Sequence, residues 1–433
     1  MTRPRPTLAF IFITLLLDVL GIGLIIPVAP KLVAQVQGLP IAGAESQTSI
    51  AVGFLAATYA AMQFVFAPIL GSLSDRFGRR PVILISLLGS GIDYFVAAMA
   101  PSLAWLFITR AINGISGANI TACSAYIADV TPPEKRAAGF GLIGAAFGLG
   151  FVLGPLAGGL LGDPATPLPF VGHGDVRYPF FFAGGLTLLN WLYGYFVLPE
   201  SLPPDLRRPF SWKKANPLGA LRWMSHHRVV ATLAVTLFLL NVAQFALHAT
   251  WVLSMGMRFA WGPREVGLSL FVVGLSSAVV QGGLARKIIP ALGERACLTA
   301  GVVIGIFAFA GYGLAPEGWM IYAIIAAASI GGVAGPAAQG IVSKAVPPTE
   351  QGLLQGALAG LQSVAGVLGP LLGAGAFRYF TAESAPISLP GAPFLAGSVL
   401  SLISLLPIFA VWSRMPTAVG RPPIENGEAP PRA

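Results

Sequence analysis

Three charged side chains stand inside otherwise apolar runs: Asp18, Asp93 and Arg110. Counted at about 1.5 Å of rise per helical residue, Asp18 falls roughly 15 Å into its run, Asp93 roughly 18 Å into its own and Arg110 roughly 10 Å from the opposite end. All three therefore converge near the middle of a hydrocarbon layer. An isolated charge at that depth is costly, so such groups face a protein interior, pair with one another or titrate. Competition between burial and a neighbouring guanidinium lets a carboxyl load a proton from one side and release it to the other. Arg110 is permanently charged and suits a counter-ion rather than a carrier. Asp18 is the expected proton carrier, and Asp93 is an alternative carrier, a substrate contact or the partner of Arg110. The rival reading is a static Asp–Arg pair that only orders the helices.

The elements that must hold these charges follow from composition. Of 433 residues, 55% are hydrophobic and 10% charged, and apolar stretches near 20 residues recur along the chain, the length a helix needs to cross a bilayer. Twelve spans are expected, at 8–30, 48–70, 81–100, 103–127, 137–161, 179–198, 229–253, 265–286, 295–315, 318–343, 351–377 and 392–413. The expected class is an all-α membrane protein with both termini on one side. Of 26 Lys and Arg, 20 fall in the terminal segments and the loops after even-numbered spans, whereas the opposite loops hold only Lys31, Arg177, Arg258, Arg264 and Arg378. That asymmetry places both termini in the cytoplasm. The formal net charge of +9 then reflects orientation and contact with anionic membrane lipids, not nucleic-acid binding. The first run lacks a small-residue cleavage pattern and carries Asp18 and Pro27, so it reads as span 1 rather than a signal peptide. Cys123 and Cys297 fall in or beside spans without a paired spacing, which points to neither a disulfide framework nor a metal site.

The chain repeats itself at an offset of 215 residues: Gly78 and Gly293, Arg80 and Arg295, Gly117 and Gly332, Gly141 and Gly356, and Gly154-Pro155 and Gly369-Pro370. One six-helix unit is duplicated. Parallel repeats about an axis along the membrane normal imply a substrate site between the halves. The expected division is 1–198 for the first bundle, 199–228 for a Pro-rich basic linker, 229–413 for the second bundle and 414–433 for a disordered tail. An interfacial helix suits residues 217–226. His226 and His227 read as a solvated edge of the linker rather than metal ligands.

Two motifs carry a family resemblance. Gly71, Asp75, Arg76, Gly78, Arg79 and Arg80 resemble the loop between spans 2 and 3 of major facilitator proteins. Gly141, Gly150, Gly154, Pro155, Gly158 and Gly159 resemble the span 5 motif of proton-coupled drug exporters. The run 17–27 (LDVLGIGLIIP), Tyr59 to Gln63, Asp93-Tyr94 and Ala128-Asp129 are similar to bacterial tetracycline/proton antiporters, a likeness running from about residue 8 to 380. The resemblance implies that Asp75 latches the two halves by meeting a helix amino terminus of the other half, where a carboxylate is favoured. It also implies a histidine on span 8 and an aspartate on span 9, where this sequence has Ser277 and Gly305. Read from the residues alone, the charges of the first motif enforce topology, and the glycines of the second permit close helix packing while Pro155 bends its span.

Amides on spans either bridge helices or bind ligand, and Gln63, Asn113, Asn241, Gln244 and Gln362 are the expected substrate contacts. Spans 7 to 12 have no ionisable group near mid-membrane, with His248 placed near the outer end of span 7. The reading is a proton-coupled exporter of a small amphipathic compound in the bacterial inner membrane, working as a monomer by alternating access. No cofactor is called for. A proton-coupled importer is the rival within transport, and a receptor or scaffold lacks a soluble signalling domain. A membrane enzyme lacks a reactive cluster.

Overall fold

The computed structural model describes residues 8–41, 43–132, 136–169, 171–210, 224, 228–347 and 350–413. The expected interfacial helix at 217–226 except Met224, the pair His226-His227 and the carboxyl tail lie outside them. Eleven helices among the described residues are long and apolar enough to cross a membrane. Spans 1, 2 and 3 are Leu8–Ile25, Glu45–Phe77 and Arg79–Ala98, and spans 5, 6 and 7 are Arg136–Gly162, Tyr178–Val197 and Arg228–Phe259. Spans 8 to 12 are Pro263–Leu292, Glu294–Leu314, Gly318–Lys344, Gln351–Thr381 and Ala392–Trp412. Span 4 completes the twelve, broken at Ala118 and Asn119 into Leu103–Gly117 and Ile120–Val130. Helices close their own backbone hydrogen bonds, which lipid cannot do for them.

The packing repeats with the sequence. Span 1 packs on spans 5 and 6, span 3 on spans 4 and 6, and span 2 on span 4; in the second half span 7 packs on 11 and 12, span 9 on 10 and 12, and span 8 on 10. Each half buries two apolar clusters, one toward each face of the membrane. In the first half these centre on Leu15, Ile83 and Tyr126, and on Leu24, Ala97 and Phe180. The second half answers with Leu298, Ala337 and Leu354, and with Trp251, Ile321 and Phe394. Contact between halves runs mainly through span 2 against span 11 and span 5 against span 8.

These two seams are closed at one end. Toward the face distal to the termini, a side-chain carbon on Gly53 would lie 2.9 Å from Pro370 O, and one on Gly267 would lie 3.0 Å from Gly159 Cα. Toward the termini, Gly141, Gly144 and Gly148 on span 5 and Gly282 and Gly283 on span 8 have nothing within 4 Å of the same position. The halves therefore form a cleft that opens on the face of the termini.

The helices depart from expectation at their ends. Span 2 continues through the charged motif to Phe77 and span 3 starts at Arg79, so the link between them is Gly78 alone, at φ 105°. Charge does not stop a helix once it has left the bilayer, whereas a positive φ, available to glycine at no steric cost, does. Span 7 likewise reaches Phe259. His248 lies eleven residues before that end.

Candidate functional site

Span 1 carries Asp18, and the break in span 4 supplies its partner. Asn119 at the break donates from Nδ2 to Asp18 Oδ2 at 3.0 Å. A pocket here is lined by Asp18, Ile22, Tyr59, Tyr94, Asn113 and Asn119. The break costs span 4 part of its backbone ladder, and Gln63 on span 2 compensates by donating to Gly117 O at 3.3 Å. The same amide reaches Tyr59 Oη at 3.3 Å. Gln63 thus bridges helices, and Asn119, absent from the expected contacts, takes the position beside the carboxylate. The signal available for Asn119 was its place in Gly117-Ala118-Asn119, a small-polar interruption of an apolar span.

Asp93 on span 3 is 3% exposed and accepts from Asn113 Nδ2 at 3.0 Å. Its other oxygen and Arg110 Nη2 are buried without hydrogen-bond partners. Among the described residues neither Asp18 nor Asp93 forms an ion pair with Arg110, so amides, not the guanidinium, hold both carboxylates in this conformation. In the second half Asn241 donates to Leu237 O within its own helix at 2.7 Å, Gln244 meets His248 at 2.9 Å, and Gln362 is exposed.

The charged motif forms a compact network within the first half. Arg79, whose side chain is 9% exposed, reaches Asp75 Oδ1 at 2.5 Å and Asp129 Oδ2 at 3.1 Å, and donates to Ser74 Oγ at 2.8 Å. Arg79 N–H, at the start of span 3, donates to Glu200 Oε1 at 2.8 Å. Arg80 donates to Tyr195 O at 2.6 Å, and the Arg76 guanidinium lies over the Phe77 ring. Gly71 approaches only Thr121 of span 4. Asp75 therefore does not meet a helix of the other half here; with the seams parted on this face, its nearest cation is one turn away.

The span 5 glycines divide their work. A side-chain carbon at Gly150 would lie 2.8 Å from Val19 Cβ, and one at Gly154 would lie 2.7 Å from Leu20 O, so this face seats span 1. Gly159 instead faces Gly267 of span 8. Pro155 lies within the same helix, against Gly23. Gly158 abuts Leu24, and Gly141 faces open space.

The distal seal is polar as well as apolar. Thr381 Oγ1 donates to Ser46 Oγ at 2.8 Å and Arg378 Nη1 to the same oxygen at 3.0 Å, joining span 11 to span 2. Lys31 Nζ, Asp163 Oδ1 and Glu265 Oε2 all lie within 4.0 Å of the point where a side chain on Gly262 would begin. Burial holds the Lys31 ammonium below the usual lysine range, and the carboxylates of Asp163, Glu45 and Glu265 pull it back up.

The family model of the Major Facilitator Superfamily matches residues 11–370. The chain belongs to that superfamily. It is 38% identical over 402 residues to the class C tetracycline resistance protein of Escherichia coli, covering 93% of this chain and 96% of that protein. The class D protein of Salmonella ordonez is also 38% identical, over 92% of this chain and 94% of its own. The chain thus falls in the tetracycline-resistance group of the superfamily. Among solved structures, the human organic anion transporter MFSD10 (TETRAN) superposes with a TM-score of 0.67 at 27% identity, over 93% of this chain and 98% of that one. A bacterial homologue of the human lysosomal transporter Spinster shares the fold at a TM-score of 0.74 and 17% identity, over 94% of this chain and 96% of its own. This facilitator is a multi-pass membrane transporter of a small molecule, not an enzyme.

Proposed function

We propose that the protein expels a small amphipathic compound of the tetracycline type from a bacterial cell through the inner membrane, in exchange for protons. The observation that carries this reading is a carboxylate, Asp18, in a pocket among spans 1 to 4 of a molecule whose two half-bundles part on one face only. The excess of Lys and Arg on that face makes it cytoplasmic, so the cleft is positioned to take its cargo from the cell interior. Asp18, with Asp93 and Arg110 behind it, couples the proton; Asp75 and the residues around Gly78 set the balance between inward-open and outward-open states. Tyr59, Tyr94 and Asn113 line the cargo's path beside Asp18. Lipid surrounds the exposed apolar faces, and a single chain is the working unit because each half completes the other's cleft.

Everted membrane vesicles carrying the protein test this reading directly. Acidifying the lumen should drive uptake of tetracycline or another flat amphipathic drug, and a protonophore should abolish it. Uptake that ignores the protonophore would remove the proton from the mechanism.

A further inference from the structure

The register of span 7 can be read from its seat on span 11. Gly154 abuts Leu20 O and Gly23, and Gly158 abuts Leu24; in the other half Gly369 abuts Val242 O and Phe245, and Gly373 abuts Ala246. Each matched pair on spans 1 and 7 is 222 residues apart. By that register Gln244 corresponds to Ile22, which lines the pocket with Asp18, and His248 corresponds to Ile26. Ile26 packs against the second half's cluster around Trp251, so this stretch of span 1 faces across the molecule, and its counterpart on span 7 faces back. Gln244 and His248 are both exposed side chains of an otherwise intramembrane helix. Their neighbours on the remaining faces are taken: Phe245 and Ala246 by span 11, Trp251 by Ser269, Tyr312 and Phe394.

The geometry points to Gln244 and His248 as the second half's recognition pair, binding a neutral donor–acceptor group of the cargo, such as a carboxamide or an enol beside a carbonyl, across the cleft from Asp18. The amide and imidazole lie 2.9 Å apart through Gln244 Nε2 and His248 Nε2. With the amide nitrogen facing the ring, Gln244 donates to His248 Nε2 in the neutral tautomer that carries its proton on Nδ1. The pair then offers one donor, Nδ1–H, and one acceptor, Gln244 Oε1, neither of which has another hydrogen-bond partner among the described residues. The edge of the His248 ring meets the Phe245 ring at 87°, with centroids 6.2 Å apart, which restrains the imidazole. Spans 8 to 12 bear their ionisable groups only near their ends, so His248 is the ionisable side chain of this half that lies farthest from a span end.

This inference rests on the export reading, and two assays separate them: proton-driven uptake of tetracycline into everted vesicles, and equilibrium binding of tetracycline to the purified full chain without a gradient. His248→Ala and Gln244→Ala should each weaken binding and raise KM about five- to tenfold with kcat within about twofold, as expected for one lost hydrogen bond. His248→Gln, which keeps a donor, should recover most of the loss, and the double variant should be no worse than either single one. Unchanged binding by His248→Ala in protein that folds normally overturns the pair while export stands. Binding without proton-driven uptake, still weakened by His248→Ala, overturns coupling and leaves the pair in place. Failure of the parent protein to bind or carry tetracycline overturns the pair as drawn.

Discussion

Glu294 pairs with Lys344 at 2.8 Å, and these residues lie 215 positions after Arg79 and Asp129, which pair at 3.1 Å. The duplicated unit has kept an ion pair at its hinge and exchanged the signs. The hinge glycines correspond too, Gly78 at φ 105° and Gly293 at φ 82°. What has not been kept is the rest of the network: Pro290 stands where the first half has Asp75. Lys344 is 73% exposed along its side chain and Arg79 only 9%. The first hinge is a buried hub and the second a surface contact.

Substitutions at the two hinges should differ accordingly. An exposed pair stabilises by about 0.5 kcal/mol or less, so Glu294→Gln should leave melting and transport nearly unchanged. Asp75→Asn removes one of the two carboxylates on Arg79 without touching the cleft. It should lower the maximal rate roughly tenfold, about 1.4 kcal/mol in the barrier, with apparent KM within about twofold. Initial rates in everted vesicles decide it, and a raised KM at unchanged maximal rate would contradict a conformational role.

Asp18→Asn should abolish uptake driven by a pH gradient while leaving exchange of labelled for unlabelled drug at equal pH measurable. Asn119→Leu tests the partner that the structure assigns to Asp18: the protein should fold, and the dependence of transport on cytoplasmic pH should shift, because a hydrogen bond to the charged carboxylate is lost. Full gradient-driven transport by Asp18→Asn would exclude it as the carrier. Arg110→Ala should lower the yield of folded protein more than Arg110→Lys does, since the buried carboxylate of Asp93 then loses its neighbouring cation.

How far the sequence alone reached depended on which interactions are local. Spans could be found because a helix in lipid must be apolar over about 20 residues, and the 215-residue repeat named the pseudo-symmetry before any contact was known. Span ends were misplaced where helices run on into water, as at Phe77 and Phe259. Depth along a helix located Asp18 and Asp93 but not their partners: Arg110 has the right depth and no ion pair, while Asn119 reaches Asp18 from 101 residues away. Charge type says that a carboxylate needs compensation. Only the packing of span 4 on span 1 decides that an amide supplies it.

The distal seal offers a direct check of alternating access. Ser46 and Thr381 meet through their hydroxyls at 2.8 Å, so Ser46→Cys combined with Thr381→Cys should oxidise readily to a disulfide. The cross-linked protein should still bind drug from the open face yet transport none, and a reductant should restore transport. Undiminished uptake by fully cross-linked protein would show that this end of the seam does not open during the cycle.

The open end of the span 5 and span 8 seam yields the complementary expectation. Gly154 has no room for a side chain, with Leu20 O 2.7 Å from the position of its first carbon, and Gly154→Val should cost folding itself. Gly148 lies on the same helix with nothing within 4 Å, so in the conformation seen here Gly148→Leu is free of clashes. Small residues nevertheless allow helices to approach closely, and the cleft must shut on this face when it opens on the other. Gly148→Leu should therefore fold and melt like the parent and bind drug with unchanged affinity, but turn over at least about tenfold more slowly, roughly 1.4 kcal/mol. A variant that transports at the parental rate would mean that spans 5 and 8 stay apart here throughout the cycle, and that the glycines between Gly141 and Gly148 serve some purpose other than closure.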